Sequence, residues 1–112
     1  MLNMSDMIRG YTDTIILAQL LRHDSYGYEL NKAVAQASGG LLELKEATLY
    51  TTFRRLEGAG CIRSYWGDET TGARRRYYAI TELGRALYRE NCADWQTFKT
   101  IIDTLLQGEE EP

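Results

Sequence analysis

The sequence predicts a mainly α-helical fold with a two-stranded β wing: a winged helix-turn-helix followed by a long C-terminal dimerisation helix. Three observations carry this reading. Helical hydrophobic periodicity recurs over three successive segments, two aromatic and branched runs flank a turn-forming stretch, and one apolar stripe runs through the C-terminal segment. Residues 1–81 then form the winged helix, 82–108 a helix packed with the N-terminal one, and 109–112 an acidic tail.

Met7 to Leu21 carries Met7, Ile8, Tyr11, Ile15, Ile16, Leu17, Leu20 and Leu21, a wrap-around pattern that suits a helix buried on most sides. Asp24-Ser25 supplies a turn and a cap, and Tyr26 to Ala37 reads as a second helix with Leu30, Ala33, Val34 and Ala37 inward. Gly39-Gly40 ends it. A third helix spans Glu46 to Gly58; its Leu49, Phe53 and Leu56 are spaced i, i+4, i+7 and point to the core, and Gly58 and Gly60 stop it. Cys61 to Trp66 and Arg74 to Ile80 pair as a hairpin around the turn Gly67 to Ala73. Thr81 caps a last helix that runs to about Gln107, on which Leu83, Leu87, Tyr88, Trp95, Phe98, Ile101, Ile102, Leu105 and Leu106 share one stripe.

Composition bounds the chemistry. With 112 residues, 44% hydrophobic, 26% charged and one proline, the chain reads as one small globular domain, neither disordered nor collagen-like. No stretch approaches the roughly 20 apolar residues of a membrane span, and no secretory signal follows Met1. Cys61 and Cys92 share no metal or redox spacing, which points to a reducing cytoplasm. His23 is the only histidine, so a His-rich zinc site is excluded; Gly39-Gly40 and Gly58-x-Gly60 lack the lysine and the context of a phosphate loop. No nucleophile, base and orienting group converge, so no catalytic residue, metal or cofactor is expected.

The net charge of -3 is uneven: residues 1–44 carry -2, 45–81 carry +3 and 82–112 carry -4. The middle of the chain is the basic part, and Arg74-Arg75-Arg76 beside Tyr77-Tyr78 is its sharpest concentration. With Leu49, Phe53 and Leu56 inward, the outer face of the third helix is Ala47, Thr48, Thr51, Arg54 and Arg55, flanked by Tyr50. Short polar residues there can approach base edges, and the arginines can reach phosphates or a guanine edge. The expected DNA-binding set is Tyr26, Lys45, Thr48, Tyr50, Thr51, Arg54, Arg74, Arg75 and Arg76, and its partner a double-stranded operator. Alternation along a strand is expected to face Arg75 away from Arg74 and Arg76. The competing reading is a protein-interaction module without DNA contact, but such a face would present apolar anchors rather than threonine and arginine.

Four stretches occur in a telling order: Tyr26-Gly27-Tyr28-Glu29-Leu30; ATLYTTFRRLE from Ala47 to Glu57; SYWGDETTGARRRYY from Ser64 to Tyr78; and Thr81-x-x-Gly84 followed by Trp95. Together they resemble the PadR family of bacterial transcriptional regulators over nearly the whole chain. The absence of a long C-terminal domain is similar to the short branch of that family, and Glu43 to Glu82 resembles its multidrug resistance regulators. The resemblance implies a homodimeric repressor whose C-terminal helix pairs across a two-fold axis and whose interface holds a flat aromatic inducer. Two departures matter. Lys45-Glu46 stand where many members open the third helix with Ser-Pro or Asn, so the side-chain cap is missing and Lys45 is available to phosphate. Cys92 stands where a relative carries a large aromatic and Lys99 where an acid can sit, implying a roomier pocket less attractive to cations.

The stripe argues for a dimer by itself. Its nine sizeable apolar side chains would each contribute roughly 1.5–3 kcal/mol on burial, and a small chain has little surface with which to cover them. The first helix and a second copy of the last one are the available covers, giving an isologous interface of Leu87, Phe98, Ile101, Ile102 and Leu105. Spacing alone reads Trp95 as ordinary interface packing; the family resemblance adds the reading in which Trp95 and its two-fold mate stack on a planar aromatic guest, with Met7, Tyr11, Cys92 and Lys99 as neighbours.

Overall fold

The computed structural model describes residues 2–67, 74–108 and 110. The chain runs α1 (Met4–Met7), α2 (Thr12–Arg22), β1 (Ser25–Tyr26), α3 (Gly27–Ala37), α4 (Glu46–Gly58), β2 (Ile62–Trp66), β3 (Arg76–Ile80) and α5 (Glu82–Leu105). It is a winged helix with a long C-terminal helix. The bounds of α4 are those its apolar spacing predicts, and Thr81 caps α5 by accepting the Gly84 N–H at 3.1 Å.

Three elements differ from the sequence reading. The helix expected from Met7 to Leu21 is broken, because Gly10 adopts φ 93°, a conformation that strains any residue with a Cβ. Met7 therefore ends the short α1 and is 65% exposed. The second helix begins one residue late. Ser25 and Tyr26 instead form β1, which pairs antiparallel with Tyr78 and Tyr77, so the wing hairpin gains a third strand in the order β1-β3-β2. Ser25 is no helix cap; its hydroxyl donates to Glu29 Oε1 at 2.9 Å. Finally, β3 starts at Arg76, so Arg74 and Arg75 precede the strand and the alternation expected across the three arginines does not govern them. Residues 68–73 of the expected turn, and 109, 111 and 112 of the acidic tail, lie outside the described residues.

The core gathers Ile16, Leu17 and Leu20 of α2, Leu30 and Val34 of α3, and Leu49, Phe53 and Leu56 of α4 against Ile62 and Tyr78 of the sheet. Phe53 stacks on Tyr78 with ring centroids 3.9 Å apart, which joins α4 to the wing. Asn31 fixes the link between α3 and α4: its Nδ2 donates to the Leu44 carbonyl at 2.7 Å, and its Oδ1 accepts the Leu44 N–H at 2.9 Å. At Gly84 a Cβ would stand 2.1 Å from the Cys61 carbonyl oxygen, so α5 starts flush against the head of β2. Leu87 and Tyr88 then pack on the core, and Asn91 Nδ2 donates to Thr14 Oγ1 at 3.0 Å across α2.

Candidate nucleic-acid interface

Helix α4 buries Leu49, Thr52, Phe53 and Leu56 and leaves Ala47, Thr48, Tyr50, Thr51, Arg54 and Arg55 exposed, the two faces that the apolar spacing separates. Buried Thr52 is satisfied within the helix, donating to the Thr48 carbonyl at 2.8 Å. Lys45 is the N-cap and is exposed; no side chain caps this helix, so its first-turn N–H groups face outward with only Glu46 beside them.

The arginines have distinct surroundings. Arg55 grips Asp13 of α2 with both terminal nitrogens, at 2.5 and 2.7 Å, and this hydrogen bonding holds its guanidinium above the ordinary arginine pKa. Arg76 donates to Ser64 Oγ at 2.8 Å and to Glu57 Oε1 at 3.3 Å and lies over Tyr78, tying the wing to the end of α4. Arg75 lies over the Tyr26 ring at 4.8 Å and Arg74 over Trp66 at 4.9 Å, both exposed. Tyr26, Tyr50, Arg74 and Arg75 line one groove between α4 and the wing.

Tyr50 owes its place in that groove to Gly27. A Cβ at Gly27 would lie 2.5 Å from the Tyr50 hydroxyl, so the ring rests on bare backbone at the start of α3 and meets Phe53 edge-on at 5.8 Å. Sequence reasoning placed Tyr50 on the reading face but missed its seat. It also missed the outer face of the sheet, where Tyr77 stacks on Tyr65 at 5.7 Å and meets Tyr26 edge-on at 5.5 Å, with Arg63 over Tyr65. The Tyr65 hydroxyl donates to Asp24 Oδ2 at 2.5 Å, which raises its pKa. The alternation of Arg63 and Tyr65 was the available signal; the cross-strand pairing of Tyr65 with Tyr77 supplies the rest.

A second cluster lies on α5. Tyr11 of the segment before α2 meets Trp95 edge-on at 5.1 Å and Phe98 at 6.2 Å, and Trp95 and Phe98 are also 6.2 Å apart. Trp95 is 39%, Phe98 46%, Ile101 50% and Leu105 72% exposed, whereas Leu87 and Ile102 are half-buried. Cys92, half-buried, accepts the Tyr88 hydroxyl, which raises the tyrosine's pKa; Lys99 stands exposed one turn beyond Trp95. Of the expected ligand neighbours, Tyr11 is in contact with Trp95, while Met7 stands exposed beyond the turn at Gly10. Among the described residues no group of three or more His, Cys, Asp or Glu could hold a metal ion, and no helix is long and apolar enough to cross a membrane.

This architecture has close parallels. The transcriptional regulator PadR-like family model matches residues 16–90, from α2 into α5. A transcriptional regulator from Clostridium thermocellum superposes with a TM-score of 0.85 at 46% identity, over 91% of this chain and 99% of that one. A PadR family regulator from hypervirulent Clostridium difficile R20291 is 33% identical, with a TM-score of 0.75 over 86% of this chain and 98% of that one. One from Eggerthella lenta DSM 2243 is 31% identical, with a TM-score of 0.83 over 95% and 90%. With both the family match and the fold in agreement, the chain belongs to the PadR-like family, which consists of transcriptional regulators and not enzymes.

Proposed function

We propose that the chain is a homodimeric, sequence-specific DNA-binding repressor, relieved by a planar aromatic molecule at the dimer interface. The observation that carries the DNA reading is the outward side of α4: Thr48, Thr51 and Arg54 are exposed there, with the groove lined by Tyr50, Tyr26, Arg74 and Arg75 on one flank of the helix and the cleft lined by Asp13 and Arg55 on the other. Thr48 and Thr51 take base edges; Arg54 and Lys45 take phosphates at the two ends of the helix; Arg74 and Arg75 take the flanking backbone. Arg76 holds the wing in place. A protein-docking module would carry several apolar anchors on α4, where Tyr50 is the large apolar side chain exposed, whereas Trp95, Phe98, Ile101 and Leu105 form an exposed row on α5. A second α5 covers Phe98, Ile101, Ile102 and Leu105 across a two-fold axis and sets the two α4 helices one DNA turn apart, roughly 34–36 Å.

The Tyr11, Trp95 and Phe98 cluster at that interface supplies faces and edges for a flat guest. Such a guest relieves repression only by binding the DNA-free geometry more tightly than the bound one. Lys99 favours neutral or anionic guests over cationic ones. The decisive experiment is an anisotropy titration of a labelled operator and a random duplex across a salt series. Operator preference, with log affinity falling by about 0.9 per phosphate contacted for each unit of log salt, supports the reading; equal affinity for the two duplexes at every salt concentration refutes it.

A further inference from the structure

The start of α2 faces two ways. At about 100° per residue, Thr14 lies near the side of Tyr11, while Asp13 lies nearly opposite. Tyr11 and Thr14 accordingly touch α5, through Trp95 and Asn91, whereas Asp13 receives the paired N–H groups of Arg55 on α4. The same turn of chain thus meets the aromatic cluster on one side and the reading helix on the other. Its charges suit their places: Asp13 lies in the first turn of α2 and Arg55 in the last turn of α4, where helix dipoles favour an anion and a cation respectively. A forked arginine on a carboxylate fixes direction as well as distance, and the Asp13 side chain is only 26% exposed. A cleft lined by Gly10, Thr12 and Asp13 on one wall and Thr48, Thr51 and Arg55 on the other puts this pair beside the reading face.

We propose that Asp13 is a positioning residue for operator recognition: it holds Arg55, and with it the Thr48 and Thr51 edge of α4, in fixed relation to the Tyr11–Trp95 contact on α5. Arg55 then serves recognition without touching DNA, and it neutralises a carboxylate that would otherwise repel phosphate beside the reading face. A guest that displaces Tyr11 moves the first turn of α2, and the forked pair carries that movement to Thr48 and Thr51. This rests on α4 being the helix that reads DNA.

The test uses the full chain carrying Trp66→Phe, in which Trp95 is the single tryptophan, and a duplex enriched from a random library by the unsubstituted chain. Without DNA, Asp13→Asn and Arg55→Gln should shift Trp95 emission equally, and the double variant should shift it no further, as expected for one shared interaction. With DNA, Asp13→Asn should lower the ratio of enriched to random duplex affinity roughly fivefold and abolish the change in Trp95 emission on duplex binding. If Trp95 emission is the same in all four chains, or if Asp13→Asn discriminates as well as its parent, the proposal is overturned while the DNA reading stands. If the parent enriches no duplex, the DNA reading fails and the role of Asp13 fails with it.

Discussion

Arg74, Arg75 and Arg76 are adjacent and chemically identical, yet they have different surroundings and therefore different consequences when removed. Arg76 is bonded to Ser64 and Glu57, so Arg76→Ala should cost about 1 kcal/mol of stability, read from urea unfolding. Arg75 is exposed over Tyr26, and Arg75→Ala should leave the unfolding midpoint in place while flattening the salt dependence of DNA affinity by about one phosphate. Retention of the full slope would take the wing out of the interface. Burial sets another residue-scale outcome. Tyr78 is 5% exposed and stacked on Phe53, and desolvation raises its pKa above the ordinary value near 10 against the lowering effect of the Arg76 charge. The folded state thus favours the neutral phenol. That stability is complete below pH 10 and is lost as the pH rises through the folded value; Tyr65, donating to Asp24, shifts in the same direction. Urea midpoints at pH 8 and pH 11 should therefore differ more for the unsubstituted chain than for Tyr78→Phe. The arginine triplet was legible as a charge cluster; the division of its roles was not, because it depends on Glu57 and Ser64, whose approach comes from tertiary packing.

At the scale of elements, legibility followed periodicity. Helix α4 was readable to its ends, since its apolar spacing and its glycines coincide, and α5 was readable from the Thr81 cap onward. β1 was not: two residues carry no period, and Ser25 and Tyr26 are strand only because β3 lies beside them. The break in the first helix was signalled by Gly10, but a lone glycine in an apolar pattern is often tolerated, and only its positive φ separates a stop from a weak spot. Gly84 is the opposite case, a helical glycine kept for space. Its neighbour is the Cys61 carbonyl, a backbone atom that cannot rotate away. Gly84→Ala should therefore destabilise the chain by about 1–3 kcal/mol despite alanine's better helix propensity, and an unchanged urea midpoint would mean that α5 can slide along the sheet. Asn31 joins two elements through one side chain, and its role could be found only once Leu44 was known to lie within its reach.

As a whole the molecule is elongated, 66 × 29 × 21 Å, because α5 runs well past the core that holds its first turns. At 24 residues the helix is about 36 Å long. The apolar stripe foreseen along it is therefore only partly covered by its own chain. Leu87 and Tyr88 are packed, whereas Phe98, Ile101 and Leu105 face outward. An exposed row of this kind marks an association surface. Sedimentation at micromolar concentration should give a dimer, and Ile102→Glu, which places a charge within the stripe, should give a monomer that no longer retains operator. A folded monomer of the unsubstituted chain under those conditions would remove the interface. The sequence could show how much apolar surface α5 carries; how much of it α2 covers depended on the break at Gly10 and the seat of Tyr11, which no single stretch displays.

The bare backbone of Gly27 beneath Tyr50 also bears on how such a protein can diverge. Gly27 has no positive φ, so alanine there meets no backbone strain, and the atom it strikes is the tip of a partly exposed side chain rather than fixed backbone. The added methyl group would displace the Tyr50 ring from the groove at little or no cost to the fold. Under the proposed DNA reading, position 27 is thus a point at which a duplicated copy could drift to a new operator, remaining stable enough to persist while the groove beside α4 is rewritten.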